Sequence, residues 1–220
     1  MAVRERVTSR GRVETFSDGV FAIAITLLVL DLRAPEDSAT FLADLAAQWP
    51  SYLAFVAAFA VLGLIWLSHH ALFTRLKAVN ASLLLRNLLL LFLAAVFSFP
   101  TGVLAASFRD ESAKTNQLVA IGIFELTAIA ITLAWVWLCR ILVVSQHLAK
   151  DPAEAAAYVR QQTLFGGIAC ALLAIAFAAG FFSTLASILL TALLPLINIA
   201  FYRRSQRFAG DGASDRLTEG

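Results

Sequence analysis

The chain consists of long apolar runs separated by short polar segments. Six runs can be distinguished, with approximate bounds 16–32, 49–69, 83–106, 118–144, 164–182 and 184–202. Each is close to the length of about 20 residues that a helix needs to cross the hydrocarbon core of a bilayer. Trp49-Pro50 opens the second run, and proline suits the first turn of a helix. The pattern predicts an all-α, polytopic membrane protein with six transmembrane helices, termed spans 1 to 6.

The composition agrees with this prediction. Hydrophobic residues make up 60% of the 220 residues and charged residues only 15%, whereas soluble domains carry about 25% charged residues. The mean hydropathy is +0.80. Six spans leave no room for a separate soluble domain, so residues 1–207 are expected to form one six-helix transmembrane domain. Polar residues 208–220 are expected to form a mobile tail. The net charge of +2 gives no reason to expect nucleic acid as a partner.

The distribution of positive charge predicts the topology. With six spans and both termini in the cytoplasm, fourteen of the 17 basic residues lie on the inner side. The outer side keeps only Arg33, Arg109 and Lys114. Cytoplasmic loops are enriched in lysine and arginine, and adding or removing one span would move every later loop to the other side. We therefore expect six spans with both ends inside.

Residues that catalyse reactions or bind metals form no recognisable pattern. The chain contains no HExxH, GxSxG or P-loop motif. His69 and His70 are adjacent, so they point to different faces of a helix and cannot chelate a metal together. Cys139 and Cys170 are isolated within apolar runs. Accordingly, neither enzymatic activity nor a cofactor or resident metal is expected.

The most unusual polar segment lies at the start of span 1. Residues 12–19 read RVETFSDG, and an ionisable Asp18 at the edge of a span is costly unless it is hydrogen-bonded or hydrated. The string R-x-x-x-F-S-D-G, followed by VFAIAITLLVLDL, resembles the first-helix signature of the transmembrane protein 175 family. This is the family of the lysosomal potassium channel and its shorter prokaryotic homologues. Trp66 and His70 in span 2 and Asn87 early in span 3 extend the resemblance.

This resemblance implies an assembly with a pore. Four copies of span 1 would line a central pore in a homotetramer, because this chain has one six-helix repeat where the lysosomal members have two. The narrowest point would be a ring of aliphatic side chains from Ile23, Leu27 and Leu30, with Ile23 as the principal constriction. Thr26 beside them would offer a hydroxyl to a passing ion and contribute to selectivity. Asp31 would stand at the outer mouth and help to concentrate cations.

A structural role for the signature is also implied. The residues that match the signature one by one are Arg12, Phe16, Ser17 and Asp18. They would not touch ions. They would hold span 1 against spans 2 and 3, through His70 and Asn87.

Together these features predict a potassium channel of the bacterial plasma membrane, conducting passively and assembling with copies of itself in the bilayer. Selectivity for potassium over sodium is expected to be modest, because the chain lacks a carbonyl filter such as TVGYG. The main alternative is a proton-coupled secondary transporter that titrates Asp18. A carrier needs a polar site near mid-membrane, whereas Asp18 lies at the cytoplasmic end and the middle of span 1 is aliphatic. A membrane scaffold without transport would leave Thr26 and the apolar stripe without a role.

Overall fold

The structure is a computed structural model of the chain and describes residues 9–32, 34–35, 39–108 and 114–194. The regular elements within these residues are helices, and an isolated β-bridge joins Leu76 and Ala149 in the loops between them. The α-helices are α1 (Arg10–Leu27), α2 (Phe41–Ala47), α3 (Trp49–Thr74), α4 (Ala81–Val96), α5 (Ser98–Ala106), α6 (Lys114–Cys139), α7 (Ile141–Val144), α8 (Pro152–Gly180) and α9 (Thr184–Leu194). Short 3₁₀ helices follow α1 (Leu28–Asp31) and α7 (Gln146–Leu148). The predicted tail at 208–220 lies outside the described residues.

Five helical stretches are long and apolar enough to cross a membrane. They are Arg10–Asp31, Trp49–Thr74, Ala81–Ala106, Lys114–Val144 and Pro152–Gly180, which correspond to spans 1 to 5. The predicted sixth span, 184–202, is described only as the shorter helix α9, because residues 195–202 lie outside the described part of the chain. The prediction of an all-α polytopic membrane protein is therefore confirmed for five spans and a short apolar helix.

Span 5 begins at Pro152 rather than near Leu164 as the hydropathy predicted. The side chain of Asp151 accepts hydrogen bonds from the backbone N–H groups of Ala153 and Glu154, at 2.8 and 3.1 Å. An aspartate at the N-cap followed by proline is a strong helix start. The first turns of α8 are amphipathic, so hydropathy alone placed them in a loop.

Span 3 is interrupted at Phe97, between α4 and α5. Pro100 has no N–H to donate to the carbonyl of Val96 four residues earlier, and this missing bond breaks a helix. The second half of the span carries Gly102, which lies against the end of span 1. A Cβ atom at Gly102 would stand 2.5 Å from Asp31 Oδ1. The absence of a side chain at Gly102 lets the two spans approach closely.

Span 1 packs against both α3 and α4, while α6 joins α4 on one side to α8 on the other. The core between them is filled by large apolar side chains that include Phe21, Leu62, Leu90 and Phe124.

At one end of the bundle, backbone hydrogen bonds of 2.9 Å from Lys77 to Leu148 and from Lys150 to Arg75 join the loops that follow spans 2 and 4. Arg10, at the start of span 1, reaches the Leu76 carbonyl at the same end. The start of span 1 and the ends of spans 2 and 4 therefore lie at the same end of the bundle.

A pore-face candidate and its supporting network

Span 1 has one face that the other described residues leave uncovered. Ile23 is 61% exposed, Leu27 41% and Leu30 71%. Gly19, one turn before Ile23, is exposed on the same side. The opposite side of the span is buried through Val13, Ser17, Phe21, Ala24 and Leu28. The three residues that were predicted to form the constriction therefore share an exposed stripe in the single chain.

Thr26 lies beside this stripe and is also exposed. Its hydroxyl donates a hydrogen bond to the backbone carbonyl of Ile23, at 2.9 Å. The single hydroxyl proton is then directed into the helix, and the lone pairs of Oγ1 remain available as acceptors. Thr26 can therefore present an oxygen, but no free hydrogen, to a cation on the exposed side of span 1.

A buried chain of hydrogen bonds joins spans 1, 2 and 3 on the opposite side. The Asn87 side-chain amide donates to Ser17 Oγ at 2.9 Å, and Ser17 Oγ donates to the Val13 carbonyl at 2.9 Å. Asn87 Oδ1 lies 2.8 Å from His69 Nε2. Ser17, Asn87 and His69 are all buried. Asn87 therefore bridges span 1 to span 2 from its place in span 3.

The orientation of Asn87 determines which histidine nitrogen carries the proton. Its amide nitrogen is committed to Ser17, so its oxygen faces the ring and His69 Nε2 must donate. The ring is held between two aromatic neighbours, stacked on Phe73 with a centroid separation of 4.3 Å and edge-on to Phe21 at 5.4 Å. Hydrogen bonding and aromatic packing together fix the position of His69.

His70 was expected to help Asn87 hold span 1, but the histidine that contacts Asn87 is His69. Successive residues of an α-helix point about 100° apart, so only one of the two can face spans 1 and 3. His70 points to the edge of the bundle, where its Nδ1 lies 3.3 Å from Glu14 Oε1. His70 therefore contacts span 1, but through Glu14 and not through the Ser17–Asn87 pair.

The remaining signature residues divide between the two sides of span 1. Asp18 is half-buried, and its Oδ1 accepts a hydrogen bond of 2.9 Å from the Trp66 indole. Phe16 is 57% exposed. Arg12 is exposed, and no hydrogen bond or ion pair joins its side chain to another described residue. Arg12 was expected to hold span 1, but the arginine that contacts span 2 is Arg10. Its Nη1 donates to the Phe73 and Leu76 carbonyls at 3.1 and 3.2 Å.

Two acidic residues of the spans have contrasting positions. Asp31 is half-buried, and its carboxylate packs toward Gly102 of its own chain; its placement at an outer mouth stays a prediction. Glu125, in the middle of α6, is fully enclosed. The sequence interpretation overlooked Glu125, although an acidic residue alone in the run LVAIGIFELTAIAITL is itself a signal. In the described part of the chain, His, Cys, Asp and Glu form no cluster of three that could hold a metal.

Comparison with known proteins identifies the family. The family model of the endosomal/lysosomal potassium channel TMEM175 matches residues 12–100, a range that includes the signature and the Ser17–Asn87 pair. A potassium channel of Streptomyces collinus is 41% identical over 149 residues, which cover 67% of this chain and 71% of that protein. The crystal structure of a lysosomal potassium-selective channel TMEM175 homologue from Chamaesiphon minutus superposes with a TM-score of 0.72 at 32% identity, covering 89% of this chain and 97% of that one.

Animal relatives match over a smaller part of their length. The endosomal/lysosomal proton channel TMEM175 of Rattus norvegicus is 37% identical over 131 residues, which are 53% of this chain but 26% of that protein. On the strength of the bacterial relative and the family model, the chain belongs to the TMEM175 family, a family of ion channels and not of enzymes.

Proposed function

We propose that the chain is one subunit of a homotetrameric potassium channel that conducts passively through a central pore lined by four copies of span 1. The proposal places six spans in the bacterial plasma membrane with both termini in the cytoplasm. The observation that carries it is the exposed stripe of Ile23, Leu27 and Leu30, which the described part of the chain leaves uncovered along most of one span. The bacterial relatives named as potassium channels support the choice of ion.

The buried network supports this orientation of span 1. Ser17 is tied to Asn87 on the inner side of the bundle. Ile23 follows Ser17 by six residues and so points about 120° away from it around the helix axis. Leu27 and Leu30 are similarly turned away. The signature therefore acts as a rotational anchor, which holds the aliphatic stripe toward the axis on which four subunits would meet.

A ring of aliphatic side chains can control conduction by wetting and dewetting. When four Ile23 side chains approach closely, water leaves the constriction and an ion must lose its hydration to pass. A small widening readmits water and opens the path. Thr26 oxygens beside the ring would replace part of the lost hydration shell. The combination supports conduction with a modest preference for potassium.

The alternative of a proton-coupled carrier rests on Asp18. This carboxylate lies in the first half of α1 and accepts a hydrogen bond from Trp66, a partner that suits an anchor between spans. The name of the rat relative nevertheless makes protons a second ion to be measured. Conduction of protons and conduction of potassium can be separated in one preparation.

Reconstitution of the purified protein in planar bilayers tests the proposal. With potassium on both sides at different concentrations, and equal pH, we expect unitary currents that reverse near the potassium equilibrium potential. A pH gradient in the absence of potassium measures the proton current in the same membranes. Slow, saturating exchange without unitary events, or a reversal potential that follows only the pH gradient, would contradict a potassium channel.

Replacing Thr26 by valine tests the role of its oxygen. Valine keeps the shape of threonine and lies on an exposed face, so folding should be retained. We expect the variant to conduct but to lose much of its preference for potassium, seen as a shift of the bi-ionic potassium–sodium reversal potential toward zero. Thr132→Val is the matched control, since Thr132 also bonds to its own helix, through the Ala128 carbonyl, but lies on α6. An unchanged reversal potential in Thr26→Val would place selectivity elsewhere.

A further inference from the structure

Glu125 is a buried carboxylate in the membrane-spanning region, away from the exposed stripe of span 1. It is 3% exposed. It follows Lys114, the first residue of span 4, by eleven residues, which corresponds to roughly 17 Å along a helix. That depth is near the middle of a hydrocarbon core about 30 Å thick. Ionisable residues at such positions are expensive to bury and commonly mark ion or proton sites.

Two hydroxyl-bearing residues of α9 face this carboxylate. The Thr191 hydroxyl is hydrogen-bonded to Glu125 Oε1 and also lies 2.9 Å from the Ser187 carbonyl oxygen. Glu125 Oε2 and Ser187 Oγ are both buried, and neither has a hydrogen-bond partner among the described residues. Two buried polar oxygens therefore remain unsatisfied at the same contact between α6 and α9. Buried polar atoms of this kind are normally paired with protein, water or an ion.

The same contact contains a small cavity. The volume in which the centre of a water-sized sphere can lie is about 10 Å³. A cavity that holds one water molecule has about this volume. Apart from Glu125, Ser187 and Thr191, its lining consists of Ala54, Ala57, Leu104, Ile121, Phe124 and Ile188. The polar side chains of the lining are therefore those of Glu125, Ser187 and Thr191, and a single occupant of water size would lie beside the two unsatisfied oxygens.

The charge of the site indicates what that occupant is. No arginine, lysine or histidine is among the described residues that line the cavity, and an isolated carboxylate in an apolar interior is strongly unfavourable. One positive charge neutralises the site. A divalent cation would leave an excess positive charge in the same apolar surroundings, so its binding is disfavoured.

We propose that Glu125, Ser187 and Thr191 form a binding site for one monovalent cation, either a sodium ion or a proton that the Glu125 carboxylate takes up beside a water molecule. The site lies between α6 and α9 and is separate from the proposed pore. Its donors are oxygen atoms only, as hard cations prefer. A bound cation would hold α9 against span 4 and would complete the hydrogen bonding that the described side chains leave open.

Thermal unfolding of the purified protein tests this site without any measurement of conduction. Choline chloride is replaced stepwise by sodium chloride or potassium chloride at constant ionic strength and pH, and a second series in choline chloride lowers the pH from 8.5 to 5.5. A ligand that binds only the folded protein raises its Tm. We expect sodium or acid to raise the Tm of the parent by about 2–4 °C and to leave that of Glu125→Gln unchanged. Response to sodium identifies sodium, and response to acid alone identifies protonation of Glu125.

Matched variants separate the site from a general effect on folding. Thr127 lies on the same helix, and its hydroxyl donates to the Ile123 carbonyl. Thr127→Val should therefore keep the full Tm response to sodium or acid. Ser187→Ala removes one oxygen of the site and should reduce the response by half or more. It also serves as the test variant if Glu125→Gln does not fold.

Three results would overturn the proposal. The first is a parent whose Tm responds to neither cation nor acid, because the cavity would then hold water only. The second is a response that Glu125→Gln, or Ser187→Ala in its place, retains in full. The third is a Glu125-dependent response to potassium as large as that to sodium, since this would contradict the size of the site. None of these results bears on the proposed pore, which is tested by currents.

Discussion

Replacement of Asn87 by leucine is expected to destabilise the protein strongly. Leucine has the same branched skeleton but cannot accept from His69 or donate to Ser17, so the buried His69 N–H loses its acceptor and Ser17 keeps only its bond to the Val13 carbonyl. Each buried group left unsatisfied costs about 1–3 kcal/mol. For a chain of this size we expect a fall in Tm of about 10 °C, measured by thermal unfolding in detergent, with loss of assembled protein on size exclusion.

A second substitution distinguishes hydrogen bonding from packing. His69→Phe in the Asn87→Leu background removes the orphaned ring donor and places a third aromatic ring against Phe73 and Phe21. Replacing both partners by apolar groups is much less costly than removing one, so the double variant should recover part of the lost Tm. Leu85→Ala, at an exposed position two residues away, should change the Tm little. A double variant less stable than Asn87→Leu would show that His69 contributes mainly through packing.

Five of the six predicted spans, span 1 among them, could be located from the sequence because hydropathy and charge act over long segments. Span 1 was also predicted to carry an aliphatic stripe, and the structure places Ile23, Leu27 and Leu30 on one uncovered face. A repeat at three- and four-residue spacing is visible in a linear sequence because the helix brings those positions together. The signature residues Ser17 and Asp18 were expected to hold span 1, and they contact spans 3 and 2 respectively.

The partners of these residues could not be predicted because they depend on helix rotation. His69 and His70 are chemically identical neighbours, and only the rotation of α3 decides which faces Asn87. The same limit applies to the arginines at the start of span 1, where Arg10 and not Arg12 caps the carbonyls at the end of α3. A motif identifies the segment that carries a contact but not always the residue.

Glu125 could not be recognised for a different reason. Motifs of catalytic and ion-binding residues combine several polar groups, and a single acidic residue within an apolar run matches none of them. Its partners Ser187 and Thr191 lie more than sixty residues away in the chain, so only tertiary packing brings the three together. Its position in the bundle separates it from span 1, so that cation binding there and conduction through the pore can be tested independently.

Replacement of Ile23 by asparagine is expected to have the largest effect on conduction. Asparagine is smaller than isoleucine and polar, so four copies at the constriction would retain water that an aliphatic ring expels. We expect larger unitary currents and a weaker preference for potassium over sodium. Because Ile23 is 61% exposed in the single chain, the substitution should not disturb the core. Planar-bilayer recording of unitary conductance and bi-ionic reversal potentials measures both effects.

Comparing the effects of the same substitution at the three stripe residues tests this prediction most sharply. Leu27→Asn and Leu30→Asn lie on the same stripe and should raise conductance less than Ile23→Asn, because the resemblance to the family puts the principal constriction at Ile23. Leu133→Asn is the off-pore control: Leu133 is exposed on α6, outside the proposed pore lining, and its substitution should leave unitary conductance unchanged. Parent-like currents from a properly assembled Ile23→Asn channel would remove Ile23 from the constriction. A larger effect at Leu27 or Leu30 would move the constriction outward along the same face.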